Sequence, residues 1–122
     1  MKKTVIIGAS PNKNRYSYLA TQRLKNNNYE VVPLGIRDGE IIGEKIITKK
    51  PLLSDIHTVT MYIGKKLQSG WYDYILGLNP KRVIFNPGTE NGEFERILEE
   101  KDIEVVENCT LVMLATNQYC PK

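Results

Sequence analysis

The chain of 122 residues has room for one domain with a single core and one main cleft. Its composition, 41% hydrophobic and 25% charged, is that of a folded globular protein and excludes a disordered or fibrous one. The 17 basic and 14 acidic residues are scattered, and a net charge of +3 without a basic run argues against a nucleic-acid partner. No apolar run reaches the roughly 18 to 20 residues of a membrane span, and the start of the chain carries no secretory signal, so we expect a cytoplasmic protein.

The first 34 residues predict a βαβ unit. Residues 4–10 are β-branched and apolar up to a Gly-Ala-Ser-Pro turn, which is typical of a strand buried on both faces. Residues 14–28 predict a helix that ends at an Asn-rich break. Residues 30–34 predict the second strand, and we expect the crossover between the two strands to be right-handed.

A long irregular segment separates this unit from the third strand. Residues 35–53 carry turn signals and no helical period, and we expect them to form a functional or edge loop. Residues 58–63 predict the third strand. The helix behind it is predicted from an apolar face at helical spacing, formed by Leu67, Trp71, Tyr74, Ile75 and Leu78.

Two further strands complete the pattern. Residues 82–85 predict the fourth strand, residues 90–101 a helix and residues 103–106 the fifth strand. Strands that alternate with helices at this spacing predict an α/β fold, a three-layer, doubly wound Rossmann-like domain with a mainly parallel five-stranded sheet. We assign this single domain to residues 1–116 and a C-terminal tail to residues 117–122.

The exit of the first strand is the most informative segment for function. In an open parallel sheet, ligands bind beyond the carboxyl ends of the strands where the strand order reverses, and the first strand normally borders that point. Gly8, Ala9 and Ser10 predict a backbone cradle for a diphosphate, helped by the start of the following helix. The same segment supplies hydroxyl donors and cations at Ser10, Lys13, Arg15 and Ser17. The alternative is a polar loop with solvated Lys and Arg side chains.

The exit of the second strand distinguishes between cofactors. Ser10 stands at the second glycine position of the G-x-G-x-x-G pattern, which disfavours a plain NAD site. An NAD site also places an acid near this exit, whereas the chain reads Leu34-Gly35-Ile36-Arg37. Arg37 suits a phosphorylated ribose, as in CoA or NADP, because its planar guanidinium pairs bidentately with phosphate. A solvated loop arginine is the alternative.

Several short motifs resemble a known family when they are taken together. They are Gly8-Ala9-Ser10, Arg15-Tyr16-Ser17-Tyr18, Asn28-Tyr29-Glu30-Val31-Val32-Pro33, Glu40-Ile41-Ile42-Gly43, Leu53-Ser54-Asp55-Ile56 and Val105-Val106-Glu107-Asn108-Cys109. In order and spacing the chain resembles the stand-alone CoA-binding proteins, small Rossmann domains similar to the CoA-binding part of the succinyl-CoA synthetase alpha subunit. The likeness spans nearly the whole chain.

The resemblance implies that Gly35 after the second strand and the exits of the third and fourth strands also contact CoA. The residues that it adds are Gly35, Ile63, Gly64, Asn86, Pro87 and Gly88. Three contact loops depart from the family pattern. Residues 34–37 stand where the family has Val-Asn-Pro-Lys, Ile63-Gly64 where it has Phe-Arg, and Asn86-Pro87-Gly88 where it has Gln-x-Gly.

Other candidate sites find little support in the sequence. His57 is the only histidine and has no neighbouring nucleophile, and Cys109 and Cys120 are expected to be free thiols. No Cys/His cluster has the spacing of metal ligands, so we expect no metal site. Trp71, Tyr72 and Tyr74 predict a mixture of core and surface aromatic residues, with a homodimer contact or an unidentified protein partner as the alternative.

Together these features predict a small cytoplasmic protein that binds coenzyme A or an acyl-CoA and has no catalysis of its own. NADP is the alternative cofactor. The rival functions are an NADP-dependent oxidoreductase, which normally needs a further domain for its substrate, and a subunit of an acyl-CoA ligase. A regulatory protein that senses the cofactor level is a third hypothesis.

Overall fold

The computed structural model describes residues 2–120, in which strands and helices alternate. The strands are β1 (Lys3–Ile7), β2 (Glu30–Leu34), β3 (Glu40–Ile41), β4 (Glu44–Lys45), β5 (Ile56–Met61), β6 (Arg82–Phe85) and β7 (Glu104–Glu107). The helices are α1 (Tyr16–Asn26), α2 (Lys65–Gln68), α3 (Tyr72–Leu78), α4 (Gly92–Glu100) and α5 (Thr110–Ala115), with a 3-10 turn at Ser69–Trp71. No helix within residues 2–120 is long and apolar enough to cross a membrane.

Five of the strands form one parallel sheet in the order β2-β1-β5-β6-β7. The central strands are short runs of β-branched and aliphatic residues, which suits burial on both faces. Val5, Ile6 and Ile7 of β1 are accordingly fully buried. From β1 the chain runs outward to β2 in one direction and later to β5, β6 and β7 in the other. The predicted doubly wound α/β fold with a mainly parallel five-stranded sheet is confirmed.

Helices cover both faces of the sheet, because successive side chains of a strand point to opposite faces. Val5 belongs to a core that includes Ile75 of α3 and Phe94 of α4. Ile6, the next residue, belongs to a second core with Leu24 of α1. The C-terminal helix α5 packs beside α1 on that second face. The carboxyl edge of the sheet therefore lies between α1 on one face and the connection from β5 to α3 on the other.

The irregular segment after β2 forms an edge structure. β3 and β4 pair antiparallel and bury Ile41 against the second core. Ile47 pairs with Leu34 of β2 in an isolated parallel bridge, so the segment also lies against the outer side of β2. Lys25 of α1 forms a salt bridge of 3.0 Å with Glu44, which ties the hairpin to the helix. The segment that the sequence predicts as a functional or edge loop thus covers the outer edge of the sheet.

One aromatic side chain joins the C-terminal segment to the core. Tyr119 is buried, and its hydroxyl shares a hydrogen bond of 2.5 Å with the hydroxyl of Thr4 in β1. The guanidinium of Arg82 lies 4.4 Å from the centre of the Tyr119 ring. The predicted tail at 117–122 therefore packs on the domain at Tyr119, whereas Pro121 and Lys122 lie outside the described residues.

Candidate functional site

A cleft of about 680 Å³ lies at the carboxyl edge of the sheet. The chain leaves β1 toward α1 on one face and leaves β5 toward α2 and α3 on the other, so the two connections diverge where the strand order reverses. The exits of β1, β2, β5 and β6 form the walls of this space. Its volume is in the range of small-molecule and cofactor sites.

The backbone that leaves β1 turns sharply at Gly8. Its φ of +97° lies in the left-handed region, and an added Cβ would lie 2.9 Å from the carbonyl oxygen of Tyr62. The N–H groups of Gly8 and Ala9 donate to the carbonyl oxygen of Leu34, at 3.0 and 2.9 Å. Both residues line the cleft, but their amides already join the turn to β2. This corrects the prediction that these two amides hold a diphosphate.

The free amides lie further along the turn. Within residues 2–120, the N–H groups of Ser10, Tyr16 and Ser17 have no hydrogen-bond acceptor. The first turn of a helix leaves such groups unpaired, and the N-cap residue Arg15 supplies no side-chain acceptor. All four residues line the cleft. Because the helix dipole adds partial positive charge there, the start of α1 is suited to an anion.

Two side chains fix the shape of this turn. The hydroxyl oxygen of Ser10 accepts a hydrogen bond of 3.1 Å from the N–H of Asn12, which leaves the Ser10 proton free to donate. The side-chain oxygen of Asn12 accepts a hydrogen bond of 2.9 Å from the N–H of Asn14. The turn is therefore held in place by its own residues before any ligand arrives.

The charged groups that line the cleft are the guanidinium groups of Arg15 and Arg37. Both side chains are exposed. Among the described residues, no Asp, Glu, His or Cys lines the cleft. Lys13, which the sequence predicts as a third cation, is exposed and does not line the cleft. The corrected set of two arginines still favours a polyanionic ligand.

The exit of β2 passes very close to the β1 turn. A Cβ added to Gly35 would lie 2.2 Å from the carbonyl oxygen of Ala9, so this position excludes any side chain. Gly35 donates a backbone hydrogen bond of 3.1 Å to Ile47, which holds the exit against the edge structure. The next two residues, Ile36 and Arg37, are exposed and line the cleft, as predicted for Arg37.

The exits of β5 and β6 supply the remaining wall. Ile63, Gly64, Pro87 and Gly88 line the cleft, as the resemblance implies. Asn86 does not, because its side chain is buried and turned beneath α5. Its amide nitrogen donates to the Thr60 hydroxyl at 2.7 Å and to the Met61 carbonyl at 2.8 Å, and its oxygen accepts from the N–H of Thr110 at 2.8 Å. Asn86 is thus a structural residue, which corrects its predicted contact with the ligand.

A buried glutamine joins these two exits. Gln68 is fully buried, and its amide nitrogen donates to the carbonyl oxygens of Ile63 at 3.0 Å and Thr89 at 2.7 Å. Its oxygen accepts a hydrogen bond of 3.0 Å from the side chain of Asn91. Gln68 therefore links the β5 exit to the β6 exit through hydrogen bonds to both.

Some of the lining residues are absent from the predicted set. They include Tyr16, Ile36, Tyr62, Leu67, Trp71 and Thr89. Burial raises the pKa of the Tyr62 hydroxyl above its ordinary value, so the hydroxyl stays protonated. The helical spacing predicts that Leu67 faces the core. The helix is instead interrupted by the 3-10 turn Ser69–Trp71, so Leu67 is exposed and Gln68 is buried. A glycine at position 70, within the predicted helix, was the available signal for that break.

The other candidate residues lie away from the cleft. His57 stands near the start of β5, at the opposite edge of the sheet, with its Nε2 3.5 Å from the Lys2 ammonium. Burial lowers the pKa of His57, and the charges of Lys2, Arg82 and Lys81 lower it further. Cys109 and Cys120 are free thiols and do not line the cleft. Within residues 2–120, no group of three or more His, Cys, Asp or Glu side chains could hold a metal ion.

Several solved structures share this architecture. The chain is similar to a crystal structure of an uncharacterized protein, with 53% sequence identity, a TM-score of 0.95 and 98% of each chain covered. It also resembles a protein from Thermus thermophilus, with 21% identity, a TM-score of 0.86, and 97% of this chain and 90% of that one covered. A hypothetical protein from Pyrococcus horikoshii OT3 gives 22% identity and a TM-score of 0.85 over 98% of this chain and 84% of that one. At such identities the last two show the fold alone.

The family relationship agrees with the motifs and with the position of the cleft. No curated protein is a significant match to the chain. A family described as a CoA binding domain matches residues 2–115, which is nearly the whole chain. The match confirms the resemblance drawn from the short motifs. The chain therefore belongs to the CoA binding domain family.

Proposed function

We propose that the protein binds coenzyme A in the cleft at the carboxyl edge of its sheet. The observation that carries this proposal is the set of three unpaired amides at Ser10, Tyr16 and Ser17. They stand beside two arginines in a cleft that has no carboxylate among its described lining residues. Membership in the CoA binding domain family gives independent support.

The residues present suit the separate parts of CoA. The amides at the start of α1 and the free proton of Ser10 suit the diphosphate, because each is a donor that lacks a partner. Arg15 and Arg37 suit the phosphate groups, since a guanidinium pairs bidentately with phosphate. The uncharged wall from the β5 and β6 exits suits the neutral pantetheine arm.

We also propose that the protein acts by binding and not as an autonomous enzyme. Support comes from the lining of the cleft, where no His, Cys, Asp or Glu stands among the described residues to act as a base or a nucleophile. An NADP-dependent oxidoreductase and a ligase subunit would both need groups from a further domain or a partner chain.

Calorimetric titration with CoA, NADP and NAD tests the choice of cofactor. We expect CoA and NADP to bind more tightly than NAD, because both carry a ribose phosphate in addition to the diphosphate and the two arginines can pair with it. CoA should bind more tightly than NADP, because the uncharged wall from the β5 and β6 exits suits its neutral pantetheine arm. Binding of NADP with no heat from millimolar CoA would overturn the proposal. An equal affinity for NAD would show that the arginines do not contact a phosphate.

Three single substitutions test the assignment of the cations. Arg15→Ala and Arg37→Ala are each expected to raise the Kd for CoA about tenfold or more, because each removes a charge-assisted contact with phosphate. Lys13→Ala removes the same charge from the same turn but outside the cleft, and it should leave the Kd within about twofold. Titration at two salt concentrations checks the result, since a lost phosphate contact also reduces the salt dependence. A larger effect from Lys13 than from either arginine would contradict the assignment.

A further inference from the structure

Charge is divided unequally along the cleft. Arg37 follows β2 and Arg15 follows β1, whereas no described residue that follows β5 or β6 brings a charged side chain to the cleft. Neighbouring strands lie about 4.8 Å apart, so the cleft has a cationic half over β2 and β1 and a neutral half over β5 and β6. A CoA thioester has the same division, because its phosphates are at the nucleotide end and its acyl group is at the other. The acyl end is therefore expected over β5 and β6.

The neutral half carries an apolar side chain that the fold leaves in solvent. Six large hydrophobic side chains in residues 2–120 are exposed, and three of them line the cleft, namely Tyr16, Ile36 and Leu67. Half of these exposed hydrophobic side chains therefore lie at the cleft. Leu67, which is 67% exposed, is the one of the three that lies in the neutral half. Its neighbour Gln68 is fully buried, so the local backbone directs the leucine, and not the polar side chain, outward.

Trp71 stands in the same half and is held in place before a ligand binds. The Lys50 ammonium lies 4.7 Å from the centre of the Trp71 ring and donates a hydrogen bond of 2.5 Å to the carbonyl oxygen of Gly70. The ring also meets Tyr74 edge-on at 5.8 Å between centres, and Tyr74 donates to the carbonyl oxygen of Pro51 at 2.6 Å. A ring fixed in this way loses little conformational entropy when an apolar group packs on it.

We propose that the cleft takes an acyl-CoA with a saturated alkyl acyl group, and that Leu67 and Trp71 contact this chain. The proposal rests on the proposed binding of CoA. It follows from the neutral half of the cleft, from the exposure of Leu67 and from the fixed ring of Trp71. A dicarboxylic acyl group is disfavoured, because the two arginines that line the cleft lie at the other half. The nearest cation to Trp71, the Lys50 ammonium, does not line the cleft and already donates to the carbonyl oxygen of Gly70.

The test compares the Kd values of CoA, acetyl-CoA, hexanoyl-CoA and succinyl-CoA by calorimetry. Hexanoyl-CoA should bind about tenfold more tightly than acetyl-CoA, because its additional CH₂ groups are partly removed from water. Succinyl-CoA should bind no more tightly than acetyl-CoA. Leu67→Ser should lower the ratio of the acetyl-CoA Kd to the hexanoyl-CoA Kd by about threefold or more. Leu52→Ser, a matched change at a fully exposed leucine outside the cleft, should leave that ratio unchanged.

The outcomes separate this inference from the proposed function. Binding of CoA without any gain from the hexanoyl chain, or with tightest binding of succinyl-CoA, would overturn the inference and leave CoA binding intact. No heat from CoA and from all three thioesters would overturn both. An equal loss of the chain-length effect in the Leu67 and Leu52 variants would also contradict the assigned contact.

Discussion

Glycine at two positions lets three strand exits approach each other at the cleft. A side chain at Gly8 would meet the Tyr62 carbonyl at 2.9 Å, and one at Gly35 would meet the Ala9 carbonyl at 2.2 Å. Both contacts are with backbone atoms, which cannot move aside as a side chain can. The turn that presents the free amides of Ser10 and the α1 start therefore depends on these two glycines.

We expect Gly8→Ala to lower the free energy of unfolding by about 2 kcal/mol or more, because the alanine is forced to a positive φ and into contact with the β5 exit. Chemical denaturation measures this change. Gly77→Ala is the matched control, since Gly77 lies within α3 with nothing within 4 Å of the added Cβ. It should leave stability unchanged or raise it by about 0.5 to 1 kcal/mol. A Gly8→Ala protein as stable as the wild type would disprove the steric argument.

His57 makes the stability of the protein depend on pH. Burial and the nearby charges of Lys2, Arg82 and Lys81 lower its pKa from the ordinary value of 6.5, so the unfolded state takes up a proton at a higher pH than the folded state. Stability is therefore fully retained above pH 6.5 and declines as the pH falls from there toward the lower native pKa.

Measurement of Tm between pH 7.5 and 5.5 tests this linkage. The wild-type Tm should fall across this range, and His57→Gln should fall less, because glutamine does not titrate. CoA binding at pH 7.5 should be unaffected, since His57 lies at the edge of the sheet opposite the cleft. Parallel Tm curves for the two proteins would show that His57 does not contribute.

Asn86, at the end of β6, connects this strand to β5 and to the start of α5. Its amide nitrogen donates hydrogen bonds to the Thr60 hydroxyl and the Met61 carbonyl oxygen of β5. Its amide oxygen accepts a hydrogen bond from the N–H of Thr110 at the start of α5. Its carbonyl oxygen also accepts from the Thr89 hydroxyl at 2.8 Å. Asn86 thereby helps, together with Gln68, to hold the β6 exit in the position where it forms a wall of the cleft.

Asn86→Ala should lower the free energy of unfolding by about 2 to 3 kcal/mol, because it leaves the buried N–H of Thr110 without its acceptor. Asn108→Ala is the matched control at the corresponding point after β7. The Asn108 side chain is exposed and accepts a single local hydrogen bond from Cys109, so its loss should cost less than about 1 kcal/mol. Similar values from urea denaturation of both variants would contradict the structural role of Asn86.

The elements themselves were accessible from the sequence, whereas the direction of single side chains was not. Alternating strand and helix patterns predicted the five parallel strands, because buried strands and amphipathic helices have distinct periods. The helical period also assigned Leu67 to the core-facing side of one continuous helix. The 3-10 turn at Ser69–Trp71 shifts the helical register between α2 and α3, and Leu67 is exposed. The family resemblance likewise placed Asn86 near a ligand, and position after β1 did the same for Lys13. Asn86 is instead buried, and Lys13 is exposed and does not line the cleft.

At the scale of the whole molecule, topology determines where a ligand can bind. Parallel strands in the order β2-β1-β5-β6-β7 bring four strand exits to one cleft, although their residues are widely separated in the chain. The sequence predicted this edge from the Gly-Ala-Ser turn and from Arg37. It did not predict that the C-terminal segment contributes Tyr119 to the core, because a lone tyrosine in a polar stretch carries no periodic signal.

The proposed binding of CoA depends on the unpaired amides at the start of α1, which we expect to hold the diphosphate. Nuclear magnetic resonance of the ¹⁵N-labelled protein during titration with CoA tests it directly, because each amide reports its own hydrogen bond. We predict the largest shifts at Ser10, Tyr16 and Ser17, and smaller ones at Gly8 and Ala9, whose N–H groups already bond Leu34. Absence of shifts at millimolar CoA, or shifts centred on His57 and Arg82 at the opposite edge, would contradict the claim.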